Sequence, residues 1–171
     1  MFDIDAIKSF FIKKHENQAC GLYSYSHHLE HVFLIAQKYK LSLLIQAGSW
    51  GHDSKEDTDT TDEELFELTK SKEFVEIIEC VTDEPGKNRK ERKRKTYLKI
   101  RENADAIGLK LCDRIANVES CIIVENHSLF RMYLKEHSEF KEMLKIDDTY
   151  PKLWDHLEKL FKIGLKSLNR R

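Results

Sequence analysis

"ADAIGLKLCDRIANV", residues 104 to 118, sets Ile107, Leu111 and Ile115 four apart, with Leu109 and Ala116 beside them. Apolar side chains at that interval share one face of an α-helix. The stretch is therefore expected to be a helix from Ala104 to Val118 that lies against the core. Asp113 interrupts its apolar character, and an ionised carboxylate is costly to bury unless a cation meets it. Arg114 could be that cation, and so could a metal ion.

Working outward, the same periodicity recurs along the chain. Ile4, Ile7, Phe10 and Phe11 predict a first helix over residues 3–15 with Asp3 or Asp5 as its cap, and Val32, Phe33, Ile35 and Ala36 predict a second over 26–40. A third is expected from Leu41 to about Ser54. Thr61 and Glu64 have capping-box spacing ahead of Leu65, Phe66 and Leu68. Phe74, Val75, Ile77, Ile78 and Val81 mark a helix over 72–82 that the turn "DEPG" ends. The basic run "KNRKERKRKTYLKI", residues 87–100, is expected to be helical by Arg92, and two more helices are expected near 129–144 and 151–168. The expected fold class is all-α, a single-domain helical bundle spanning residues 1–171.

Composition agrees. A chain of 171 residues suits one domain with a substantial core. Six glycines and two prolines are few for an all-β chain, and 35% charged residues fit helices with solvated outer faces. Lys plus Arg number 29 against 30 Asp plus Glu, so the near-neutral chain argues against a nucleic-acid partner, and electrostatic readings must be local. The four cysteines, Cys20, Cys80, Cys112 and Cys121, contain no C-x-x-C pair and read as reduced, buried thiols. No stretch has the apolar length of a signal peptide core or a membrane span, which gives a cytoplasmic expectation with no membrane partner. Oligomeric state has no signal in the sequence.

Chemistry concentrates in three places. "GHDSKEDTDTTDEE", residues 51–64, carries seven carboxylates and one histidine in fourteen positions. Taken alone it reads most simply as a solvated acidic turn. On a helix, however, His52 and Glu56 are four apart and Asp53 and Glu56 three apart, so the three can converge. "SYSHHLEHV" adds His27, His28 and His31, and Asp113 is the third contribution. Imidazole nitrogens and carboxylate oxygens suit Mn(II), Fe(II) or Zn(II).

A histidine on an early helix, a His-Asp doublet and a later aspartate on an apolar helix resemble the HD superfamily of metal-dependent phosphohydrolases. Here these are His28, His52-Asp53 and Asp113, which the resemblance makes ligands of one divalent ion, expected to be Mn(II), with Fe(II), Zn(II) or Mg(II) as alternatives. Within that group "HDSKEDTDTT", "IIECVTDE" and "LKLCDRIANV" resemble blocks of the guanosine tetraphosphate (ppGpp) hydrolase domain of Rel/SpoT enzymes and their small stand-alone relatives. The matched blocks cover about residues 26–120, leaving the helices of 121–171 outside. The resemblance implies that Glu56 and Asp57 handle the water nucleophile, that Asn117 helps hold the nucleoside, and that the substrate is a small-molecule nucleotide. Two positions depart from the pattern. The usual Arg-Lys pair falls on Ala19-Cys20, and the proline after the first histidine is Leu29.

Of the basic run, Arg94 and Lys95 are the candidates for binding substrate phosphates, although a solvated face is the ordinary use of such charge. The expected function is thus a metal-dependent nucleotide phosphohydrolase, most specifically one that removes the 3′-pyrophosphate of ppGpp. The alternatives are a related nucleotidase or phosphodiesterase with another nucleotide, and a non-catalytic nucleotide- or nucleic-acid-binding module.

Overall fold

The structure is a computed structural model that describes residues 2–21 and 23–168, the side chain of Cys20 excepted. Among the described residues the regular elements are all helices apart from one two-stranded antiparallel ribbon, β1 (Ala19–Cys20) and β2 (Tyr23–Ser24). Gly21 turns the ribbon at φ 63°, a left-handed conformation that glycine adopts without steric cost.

The helices begin where polar caps meet apolar periodicity. Asp3 accepts from the Ala6 amide at the start of α1 (Ile4–Lys14), and Ser42 does the same for Ile45 in α3 (Leu43–Gly51). Between them lies α2 (Tyr25–Lys38). The short α4 (Ser54–Asp57) precedes α5 (Asp62–Thr69), which has the full reciprocal capping box of Thr61 and Glu64. Ser71, Asn88, Asn103 and Asn126 cap α6 (Lys72–Val81), α7 (Arg89–Ile100), α8 (Ala104–Ile123) and α9 (His127–Leu144). The last helix, α10 (Pro151–Leu168), opens on a proline, whose missing N–H costs nothing at a first turn.

The helix predicted from residues 104–118 proves to be the axis of the molecule. α8 packs against α2, α3, α6, α7, α9 and α10, and nearly every residue from Ala106 to Val118 is buried. Leu109, Leu111, Ile115, Ala116 and Val118 are wholly inside, joined there by Phe11, Leu29, Trp50, Phe74 and Trp154 in one continuous apolar core.

Two expectations need correction. The helix expected over 41–54 ends at Gly51, and His52 and Asp53 form a break before α4. The Ser54 hydroxyl donates to the Gly51 carbonyl at 2.7 Å and takes up an acceptor the helix would otherwise extend from. Cys112 and Cys121 are buried as expected, whereas Cys80 is only half-buried; the side chain of Cys20 lies outside the described residues.

Candidate metal centre and substrate cavity

The break after α3 and the middle of α8 are brought together by the core, and the side chains that resist burial meet there. His28 comes from α2, His52 and Asp53 from the break, and Asp113 from α8. His52 Nε2 lies 3.2 Å from His28 Nε2, 3.0 Å from Asp53 Oδ2 and 3.7 Å from Asp113 Oδ1. His28 Nε2 is 3.6 Å from Asp53 and 3.5 Å from Asp113. The ligand atoms of His28, His52 and Asp113 all lie within 4.8 Å of one another, and Asp53 closes the histidine side.

These separations fit a divalent ion. Bonds of about 2.0–2.2 Å to each ligand place neighbouring ligand atoms about 3 to 3.6 Å apart. The chemistry of the donors fits as well. The His52 Nδ1–H points to the Ser49 carbonyl at 3.0 Å, which leaves Nε2 with its lone pair toward the carboxylates. Such a group of buried lone pairs requires a cation. When a proton serves, burial opposes the charge on His52, but Asp53 and Asp113 outweigh it and push the pKa up to about 10. The residues can thus hold a divalent ion in place of that proton.

Asp113 is not paired with Arg114. Lys110, one turn earlier on α8, places Nζ 2.9 Å from Asp113 Oδ2, while Arg114 donates to Glu136 at 3.1 Å and to the Tyr97 hydroxyl at 3.0 Å. Burial alone would raise the Asp113 pKa, yet Lys110 and the two histidines hold it well below the usual carboxylate range. Lys110 is itself kept charged against burial by Asp113, Asp53 and Glu56.

A cavity of about 150 Å³ opens beside this cluster, and its lining includes Tyr25, Glu56, Arg89, Lys93, Arg114, Asn117 and Tyr133. Glu56 accepts the Asp83 amide at 2.8 Å, which anchors one carboxylate oxygen. Burial raises its pKa, with Lys110 partly opposing. Asp57 is not among the lining residues. It contacts the Tyr25 hydroxyl at 2.9 Å, and that hydroxyl also lies 2.6 Å from Asp53. Burial and the two carboxylates push the Tyr25 pKa upward, so the phenol remains a donor. Asn117 donates to Asp113 through Nδ2, one turn along α8.

The basic run contributes through different residues from those expected. Arg94 and Lys95 are exposed, and Lys95 donates to the Pro85 carbonyl and pairs with Glu91. Arg89 and Lys93 face the cavity instead, Arg89 bonded to Glu136 at 2.6 Å and Lys93 to Asp83 at 2.8 Å. Burial, with Lys110 nearby, lowers the Lys93 pKa. The interval from Arg89 to Lys93, Tyr97 and Ile100 was the available signal: Tyr97 and Ile100 are buried, so cations one and two turns earlier share their inward face. Of the three clustered histidines only His28 joins the cluster; His27 stacks on Tyr23, and His31 meets Glu119 at 2.7 Å.

The fold and site together define an all-α protein with a buried histidine–aspartate cluster beside a cationic cavity. Scans against protein-family models and against curated proteins return no match. By structure the chain is similar to a solved protein described as a metazoan ortholog of SpoT that hydrolyzes ppGpp and plays a role in starvation responses, with TM-score 0.76 and 20% identity over 93% of each chain. The chain has the helical fold of that protein.

Proposed function

We propose that residues 1–171 act as one domain, a cytoplasmic, metal-dependent nucleotide phosphohydrolase, and that its reaction is removal of the 3′-pyrophosphate of guanosine 3′,5′-bis(diphosphate). The observation that carries this reading is the convergence of His28, His52, Asp53 and Asp113 beside Glu56 and a cationic wall. The ppGpp hydrolysis described for the protein of like fold points the same way.

In this reading His28, His52, Asp53 and Asp113 hold one divalent ion, with Mn(II) the proposed metal. A divalent ion there supplies Lewis-acid charge, making a nearby water more acidic and drawing electron density from a phosphoryl oxygen. Glu56 takes the proton of the attacking water with the carboxylate oxygen that Asp83 does not occupy. The water oxygen bonds to phosphorus, the bond from phosphorus to the 3′ oxygen breaks, and that oxygen leaves with a proton from solvent. Asp57 acts through Tyr25, which it and Asp53 hold between them. Lys93, Lys110, Arg89 and Arg114 balance the charge of the phosphates, and Asn117 orients Asp113 and the nucleoside.

The deciding assay follows pyrophosphate release from guanosine 3′,5′-bis(diphosphate) with Mn(II) present. Turnover is expected. No release, with turnover of a different nucleotide, sinks the substrate assignment and favours the related nucleotidase; no turnover of any nucleotide sinks the enzyme assignment.

A further inference from the structure

The short helix that carries Glu56 is held from outside the site. Gln18, just past the end of α1, donates through Nε2 to the Asp57 carbonyl at 2.5 Å. A carbonyl only accepts, so the amide nitrogen must face it, and Gln18 Oε1 is turned the other way, 2.7 Å from His15 Nδ1. His15 therefore donates through Nδ1, and the hydrogen bonds run in one direction from His15 through Gln18 to α4. Neither side chain is loose. His15 is buried, and its ring stacks on Tyr25 at 4.7 Å with 10° between the planes. The Gln18 amide donates to the His15 carbonyl at 2.9 Å, and its own carbonyl accepts from the Tyr25 amide at 3.1 Å, which fixes Gln18 to the end of α1 and the start of α2 together.

We propose that Gln18, oriented by His15, is a positioning residue that anchors α4 and through it sets the place of the Glu56 carboxylate. The proposal rests on the phosphohydrolase reading for the role of Glu56 as base. α4 runs only from Ser54 to Asp57, and a single helical turn does not hold itself together in water. The Glu56 and Asp57 amides reach the Asp53 carbonyl at 3.1 and 3.0 Å, and the Thr58 amide reaches the Ser54 carbonyl at 3.0 Å. The last carbonyls of the turn have no partner within it, and the Gln18 amide meets that of Asp57. The remaining ties are made by side chains, Glu56 to the Asp83 amide and Asp57 to the Tyr25 hydroxyl, and the Tyr25 ring itself leans on His15. Displacing a catalytic group by about 1 Å costs on the order of 10²-fold in rate. His15 and Gln18 do not line the cavity, so their loss leaves contacts to bound substrate in place and shows in kcat rather than KM.

Gln18→Met keeps the length of the side chain and removes the donor. With Mn(II) and guanosine 3′,5′-bis(diphosphate), its kcat is expected to fall roughly 10–100-fold while KM moves by less than about three-fold and bound metal is unchanged. Hydrogen–deuterium exchange of the metal-free protein reads the anchor without turnover. The amides of residues 56–58 should exchange about ten-fold faster in Gln18→Met, with the amides of α8 unchanged as the control for folding. His15→Phe keeps the ring without the donor and should follow Gln18→Met, whereas His15→Asn, whose amide nitrogen can stand where Nδ1 stands, should recover most of the kcat that His15→Phe loses. Unchanged exchange in α4 overturns the proposal, as do faster exchange with unchanged kcat, faster exchange throughout α8, and equal losses in the two His15 variants. An unaltered protein that turns over no nucleotide defeats the phosphohydrolase reading, and the exchange rates alone then decide whether Gln18 holds α4.

Discussion

Glu56 and Lys110 show how single residues acquire chemistry from their surroundings. Glu56 keeps one oxygen on the Asp83 amide and lines the cavity without entering the histidine cluster. Glu56→Gln is therefore expected to lower kcat by about 10²–10⁴-fold, the usual worth of a positioned base, while metal content by elemental analysis stays at the unaltered value. His52→Ala and Asp113→Ala should instead lose both metal and turnover; equal metal content in all three would contradict the assigned roles. Lys110 is buried against Asp113, and removing one partner of a buried pair leaves the other charge uncompensated. Lys110→Met should destabilise the metal-free protein by about 3–5 kcal/mol in urea unfolding, and less once Mn(II) is bound to the same carboxylate.

Among the elements, the junction of α3 and α4 is the most constrained. A Cβ added at Gly51 would meet Phe11 at 2.6 and 2.8 Å, so α1 can lie close only because that position is glycine. Gly51→Ala is expected to cost about 1–3 kcal/mol through overpacking, and to weaken metal binding because His52 is the next residue. A variant with unchanged melting and metal affinity would disprove that coupling. Farther out, α10 is held to its neighbours through His156 on Glu119 and Glu158 on His137. Burial, partly opposed by those glutamates, holds both imidazoles below the ordinary value of 6.5. The unfolded chain then binds protons first, and stability falls as pH drops below about 6.5. Melting of the metal-free protein between about pH 6.5 and 5 should show this loss, and His156→Gln should show less of it; parallel curves for the two proteins would refute the assignment.

For the molecule as a whole, the histidine–aspartate cluster ties together α2, the α3–α4 break and α8, so an ion bound there would bind the folded state alone. Mn(II) at about a hundred times its Kd should add about 2.7 kcal/mol, which for a chain of this length raises Tm by about 5–10 °C. Chelation should reverse the shift in a thermal scan. A Tm indifferent to Mn(II) and chelator would remove the ion from the cluster. The same three-way convergence explains why sequence spacing was an incomplete guide. His52, Asp53 and Glu56 read as one helical face, yet the chain breaks at His52–Asp53, sending the doublet into the cluster while Glu56 reaches the cavity from α4.

Helical periodicity, the capping residues and the misfit of Asp113 in an apolar helix are local properties, and through them the sequence by itself determined the all-α architecture and that the helix carrying Asp113 lies against the core, whereas the packing of α8 on six other helices came only with the fold. From the sequence the cation facing Asp113 was Arg114 or a metal ion; the fold places Lys110 against it, because Glu136 on α9 and the Tyr97 hydroxyl on α7 take Arg114. Tertiary structure likewise decided that Arg89 and Lys93, rather than Arg94 and Lys95, face the cavity, since the rotation of α7 is set by burial of Tyr97 and Ile100. The tie from Gln18 to α4 was invisible for the same reason. It joins the end of α1, the start of α2 and α4, and a contact shared by three segments exists only once the core has packed them.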